Sequence, residues 1–306
     1  MATEIMAVRG SSHRGLLIIA AGSVLFGFTG VTSKTLYART EITPLGVSWL
    51  RMTVAALALL ILLAFRAAPL PRPRAWRDVP LLLGLGLSVG GYQVTFFSGI
   101  QCSTVTSVTL IAMCTAPVIV ALLAPLFLRE RLTRAIGVAL VCAVGGTALL
   151  LQSGGQVSLS SRHLVGNLLG LGAAFSYASF MLISKRVLGW LDSLSIITVS
   201  FCVASLLLAP LALGDLGSAG LSWGDWPYIL WLGLAATAVA YGMLVFGMVD
   251  ASATAASIST LLEPLTAAIL AAIFFKERLG VAGLLGAALL LAGMLILYRQ
   301  DDSSRA

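Results

Sequence analysis

An all-α membrane protein of ten spans is predicted by three observations: an apolar share too large for water, apolar runs of bilayer length along the whole chain, and a motif that recurs once in each half. Of the 306 residues, 59% are hydrophobic and 10% charged, against about 45–50% and about 25% in a soluble domain. So few polar side chains cannot cover a water-facing surface, and the apolar excess needs hydrocarbon as its outer solvent.

The elements follow in order. A bilayer core takes about 20 apolar residues per helix, and runs of that size cover residues 15–35, 45–65, 79–98, 103–128 and 135–152. Five more cover 165–185, 194–213, 227–247, 252–275 and 281–298. Residues 1–13 are polar and the first run leads directly into further runs, so it reads as a retained span rather than a cleaved signal peptide. Short polar or Gly/Pro breaks separate the rest.

Basic residues set the orientation. With the N-terminus in the cytoplasm, thirteen of the nineteen Lys and Arg fall inside, among them Arg66, Arg72, Arg74, Arg77, Arg129, Arg131, Arg134, Lys185 and Arg186. Lys34, Arg39, Arg162, Lys276 and Arg278 fall outside, and Arg51 stays within the second span. The positive-inside rule therefore predicts both termini in the cytoplasm. The formal charge of +7 is then a topology signal and not a nucleic-acid footprint, since no Lys/Arg run with interleaved aromatics occurs.

An internal duplication supports the count. RERL at Arg129–Leu132 recurs as KERL at Lys276–Leu279, each twelve residues after a proline, Pro117 or Pro264. Ser33-Lys34 closing the first span matches Ser184-Lys185 closing the sixth, and Tyr92 in the third resembles Tyr241 in the eighth. The halves, 1–152 and 153–306, each hold an odd number of spans, so the second copy enters the membrane inverted relative to the first. Inverted repeats are a recurrent plan of secondary transporters, with substrate held between the copies near the midplane.

Other chemistries lack their residues. Cys102, Cys114, Cys142 and Cys202 show no CxxC spacing, and the last three lie in apolar runs, so neither disulfide nor metal site is expected. His13 and His163 fall in expected loops, which disfavours an intramembrane enzyme. No Walker motif couples the chain to ATP, and no Gly-rich re-entrant filter or ring of charges points to a channel. A secondary carrier without a cofactor is the expectation, with a small-molecule substrate and the lipid bilayer as its partners.

The chain resembles the drug/metabolite transporter superfamily, specifically its EamA type with two five-helix repeats, over residues 14–299. The resemblance rests on Phe26-Gly27, Trp49-Leu50-Arg51, Pro117 with RERL, and Leu262-Glu263-Pro264 with KERL. It implies a monomeric exporter in a bacterial inner membrane, with a central cavity lined mainly by spans 1, 3, 4, 6, 8 and 9. Within that superfamily the chain looks most like a bacterial exporter of aromatic amino acids, a resemblance that implies aromatic and other neutral amino acids as substrates, with amines or other metabolites the alternative. One departure is Ala116, which stands at the first-half position of Glu263.

Two charges lie at membrane depth. Arg51, about seven residues into its span and so ~10 Å deep, either binds a substrate carboxylate through its planar fork or anchors to helix-end carbonyls and headgroups. Glu263 precedes a helix-disrupting proline and is expected to bind a substrate ammonium, to carry a coupling proton, or to serve a paired structural role. Tyr92, Gln93, Phe96 and Tyr241 mix aromatic faces with a few polar groups, as a partly apolar ligand requires. Gln93 in particular needs hydrogen-bond partners in hydrocarbon. Phe26, Tyr177 and Phe180 occupy matching positions of the two repeats, while Ser107, Met113, Ser257 and Thr260 come from the two proline-bearing spans. For all of these, packing or interhelical hydrogen bonding is the plain alternative.

Overall fold

Hydroxyl and carboxylate side chains set where several helices begin. In the computed structural model, which describes residues 13–66, 76–153, 163–216, 219–275 and 280–303, Thr43 accepts from the Gly46 N–H at 3.1 Å, just before Pro44 opens the second span. Thr104 does the same for Ser107, Asp192 for Ser195 and Ser252 for Ala255. Each satisfies an N–H that the first turn leaves without an intrahelical partner, a need that grows near hydrocarbon.

Ten helices among the described residues are long and apolar enough to cross a bilayer. They are span 1 (His13–Tyr37), span 2 (Pro44–Phe65), span 3 (Val79–Cys102), span 4 (Val105–Phe127), span 5 (Arg134–Ser153), span 6 (Leu164–Val187) and span 7 (Ser193–Leu216), then span 8 (Trp223–Gly247), span 9 (Ala253–Phe274) and span 10 (Val281–Ser303). Every expected run is present, with ends moved by a few residues where terminal turns continue into polar segments. His13 opens span 1 and His163 caps span 6, so both imidazoles lie at helix ends. The KERL residues lie outside the described residues.

Two spans are not the simple helices expected. Span 8 passes from α-helix (Trp226–Gly233) through a π-helical stretch (Leu234–Val239) and back to α-helix (Ala240–Gly247). Span 9 breaks at Thr260 and Leu261 into Ala253–Ser259 and Leu262–Phe275. Pro264 contributes to the break: it lacks the N–H that would reach the Thr260 carbonyl, and its ring crowds that oxygen. The carbonyl accepts from the Glu263 N–H at 3.0 Å instead. Span 4 carries the matching Pro117 without a break.

Packing follows the duplication. Span 3 packs on spans 6 and 7 while span 8 packs on spans 1 and 2; span 4 packs on span 6 while span 9 packs on span 1. Spans 2 and 7 face each other, as do spans 5 and 10. Exchanging each span with the one five places on turns this pattern into itself. Two bundles result, spans 3, 4, 6 and 7 against spans 1, 2, 8 and 9, with a seam between them.

Small residues permit the closest crossings. A Cβ on Gly286 would stand 2.6 Å from both the Gly146 carbonyl oxygen and the Leu150 nitrogen, so spans 5 and 10 touch backbone to backbone there. Gly286→Leu is expected to force these helices apart and destabilise the protein by about 1–3 kcal/mol, read as a lower melting temperature in detergent. The same test at Gly280, where a Cβ meets nothing within 4 Å, should leave the melting temperature unchanged.

Candidate substrate site at the bundle seam

Span 2 is keyed to its neighbours by the Trp49-Leu50-Arg51 motif. Trp49 Nε1 donates to the Ser205 carbonyl at 3.0 Å, and the Thr53 and Ser205 hydroxyls are 2.7 Å apart, which ties spans 2 and 7. Arg51 Nη1 donates to Thr237 Oγ1 at 3.1 Å, inside the π stretch of span 8. Among the described residues this is the single hydrogen bond of a guanidinium that carries five donors.

The Phe26-Gly27 motif brings span 1 onto span 9. A Cβ on Gly27 would lie 2.6 Å from Thr266 Cβ, so only glycine allows this approach. Phe26 then meets Tyr241 edge to face with centroids 4.9 Å apart, and Tyr241 makes similar contacts with Phe180 at 5.5 Å and Phe201 at 5.2 Å. Such T-shaped pairs contribute roughly 0.5–1.5 kcal/mol each beyond simple burial. Four aromatic rings from spans 1, 6, 7 and 8 thus close one side of the seam.

Beside them lies a narrow cavity lined by Tyr92, Ala112, Met113, Ala116, Pro117, Tyr177, Thr260, Leu261 and Glu263. Measured to water centres it holds about 40 Å³, room for a few waters and far below the roughly 300–1,000 Å³ of a small-molecule pocket. A whole amino acid enters only if the bundles separate. Tyr92 stacks on Phe96 (5.4 Å) and tilts against Tyr177 (6.0 Å), so two neighbouring rings line the cavity that Glu263 also lines.

Glu263 sits where the break in span 9 turns it into this cavity. Among the described residues nothing hydrogen-bonds or ion-pairs with its carboxylate, and the charge of Arg51 acts on it through space. An ionised carboxylate taken from water without a partner costs several kcal/mol. The cavity therefore favours either a proton or a cationic group at Glu263 whenever it is closed to water.

The expected site residues divide into three groups. Tyr92, Met113, Tyr177, Thr260 and Glu263 come together at the cavity, with Phe96 behind Tyr92. Phe26, Phe180 and Tyr241 pack on one another alongside it, so the cavity draws on spans 3, 4, 6 and 9, and spans 1 and 8 supply the adjoining aromatic seal. Gln93, Ser107 and Ser257 lie elsewhere. Gln93 Oε1 accepts from Ser48 at 3.2 Å between spans 2 and 3, Ser107 bonds Thr104 at the start of span 4, and Ser257 donates to the Thr254 carbonyl within its own helix. Asn167 accepts from Ser103 at 3.0 Å and so joins span 3 to span 6.

Ala112, Ala116, Pro117 and Leu261 were not expected at the cavity. Pro117 and Ala116 had a signal in the repeat, as counterparts of Pro264 and Glu263; Ala112 and Leu261 had none. Thr237 also carried no signal, because a π stretch leaves no mark in residue type.

Ten apolar helices whose packing repeats after five, with a buried and mostly apolar cavity that holds one carboxylate on the seam, define a polytopic membrane transporter. The chain belongs to the EamA-like transporter family, whose sequence model matches residues 13–152 and again 164–299. It is similar to the uncharacterized transporter YwfM of Bacillus subtilis, 29% identical over 294 residues that cover 95% of each chain. The probable terminal-alkyne amino-acid exporter of Streptantibioticus cattleyicolor is 29% identical over 265 residues, 85% of this chain and 86% of the relative. The uncharacterized inner membrane transporter YicL of Salmonella typhimurium is 24% identical over 299 residues, 97% and 99% of the two chains. A protein of known crystal structure, 17% identical, shares the fold with a TM-score of 0.79 over 94% of this chain and 98% of its own.

Proposed function

We propose that this transporter is a secondary carrier that exports small amphipathic amino acids, aromatic and other neutral ones, across a bacterial inner membrane by alternating exposure of the seam. The observation that carries this reading is Glu263, a carboxylate with no hydrogen-bond or ion-pair partner among the described residues that shares its cavity with Tyr92 and Tyr177. The carboxylate takes the substrate ammonium, the rings take an apolar side chain, and Arg51 attracts the substrate carboxylate. A proton and an ammonium compete for the same group, so closure with one in each direction yields antiport. The amino-acid exporter among the relatives supports the substrate class.

A second reading, export of amines, is favoured by Glu263 being the one charged side chain on the cavity wall among the described residues. Proteoliposomes loaded with unlabelled tryptophan, and supplied with labelled tryptophan outside, test the proposal. Saturable uptake stimulated by internal substrate is the expected result. Uptake that is linear in concentration and unaffected by internal substrate overturns the carrier. Competition by tryptamine but not by phenylalanine or leucine moves the substrate class to amines.

A further inference from the structure

Glu130 and Lys185 stand at one end of the seam, and both reach across it. Glu130, in the RERL motif after span 4, accepts through Oε1 from the Ala253 N–H at 2.7 Å. Through Oε2 it accepts from the Thr254 N–H at 3.3 Å and the Thr254 hydroxyl at 3.1 Å. Lys185, near the end of span 6, donates to the carbonyls of Met248 and Ala251, the latter at 2.8 Å. Spans 4 and 6 belong to one bundle, and residues 248–254, the connection from span 8 with the first two residues of span 9, belong to the other. The anion meets the N–H end of span 9 and the cation the carbonyl end of span 8, so each charge lies at the helix end that favours it.

Packing at this end matches the polar contacts. Residues 253–260 are all buried, whereas of their repeat counterparts, 106–113, only Ser107, Val108 and Ala112 are. Likewise Phe180, Met181, Leu182 and Ser184 are buried, while the counterparts Thr29, Val31 and Ser33 are half-buried and Gly30 is exposed. Two related halves are thus packed tightly at the Glu130 end and more loosely at the other. The break at Thr260 and Leu261 also separates the held segment, Ala253–Ser259, from the helix that carries Glu263. The break interrupts the helical hydrogen bonding between that segment and the rest of span 9.

We propose that Glu130 and Lys185 are positioning residues that clamp residues 248–254 and hold the seam shut at this end, so that releasing the clamp opens the pathway there. The clamp rests on the two-bundle carrier reading but not on the identity of the substrate. It makes the RERL motif a conformational device in addition to a helix cap.

Hydrogen–deuterium exchange of the full chain in nanodiscs of phosphatidylethanolamine and phosphatidylglycerol tests it. In the unmodified protein, residues 248–259 should exchange more slowly than residues 101–112; the reverse order overturns the clamp. In Glu130→Gln, exchange at 248–259 should rise roughly tenfold to hundredfold, as expected for lost bonds to a charged group. Exchange at 101–112 should fall at the same time, because a seam that opens at one end closes at the other. Lys185→Gln leaves the Glu130 bonds in place and should move both segments in the same directions, so it decides the matter if Glu130→Gln does not fold. A purely local cap would speed exchange at 253–256 and leave 101–112 unchanged, and that outcome overturns the proposal. Counterflow in the same protein separates the two readings: a failed clamp with counterflow intact leaves the carrier standing.

Discussion

Glu263→Gln is expected to abolish proton-driven substrate movement while leaving the ten-span fold intact. The substitution preserves shape and removes only the titrating charge, and among the described residues no hydrogen bond or ion pair to that carboxylate is lost. Relief of an unpaired buried carboxylate costs the fold nothing, so the melting temperature should stay level or rise. Binding should suffer instead. A bond between an ammonium and a carboxylate contributes about 1.5–3 kcal/mol, so the half-saturation concentration for tryptophan should increase by roughly tenfold or more. Proteoliposomes with an imposed pH gradient give both readings at once.

The sign of the pH effect follows from the competition. A protonated Glu263 offers no charge to an ammonium, so lowering the pH on the substrate side should weaken binding in the unmodified protein. In Glu263→Gln this dependence should be flat. Glu263→Asp keeps the charge on a shorter stem and should retain coupling with weaker affinity. Gradient-driven accumulation that persists in Glu263→Gln would assign coupling to another group. The first repeat offers no second carboxylate at this level, since Ala116 occupies the matching position.

The fold was legible in the sequence because bilayer length and the absence of charge are properties of whole segments, and small errors at segment ends do not change their number. The duplication was legible because RERL, Pro117 and Pro264 keep their spacing. Parts of the site were not, for a physical reason: which face of an apolar helix turns inward is written only weakly when every face is apolar. Tyr92, Tyr177 and Glu263 were singled out because an aromatic hydroxyl or a carboxylate in hydrocarbon narrows the options, and all three line the candidate cavity. Gln93 satisfied the same argument yet met Ser48 on a neighbouring helix, since an amide needs any polar partner and not specifically a cavity. Pro264 pointed to strain in the turn before it; the full break at Thr260 does not follow from proline alone, as unbroken span 4 with Pro117 demonstrates.

Arg51→Gln is expected to weaken binding of amino acids by at least about tenfold while leaving the matching amines nearly unaffected, the loss of one charge-assisted pair. The guanidinium uses one of its donors on Thr237, and its charge is felt at Glu263, Tyr92 and Tyr241 around the seam. Donors left over at membrane depth favour a carboxylate arriving from the substrate, because an unpaired cation there is costly. A purely structural Arg51 predicts something different. If it only pins span 2 to the π stretch of span 8, Thr237→Val should reproduce the whole effect, the melting temperature should fall in both variants, and amines and amino acids should lose affinity together. Tryptophan and tryptamine differ by the carboxylate alone, so the ratio of their half-saturation concentrations isolates the charge pair from any general loosening of the helices. A ratio unchanged by Arg51→Gln removes Arg51 from substrate recognition and leaves Glu263 as the one charge that selects what is carried.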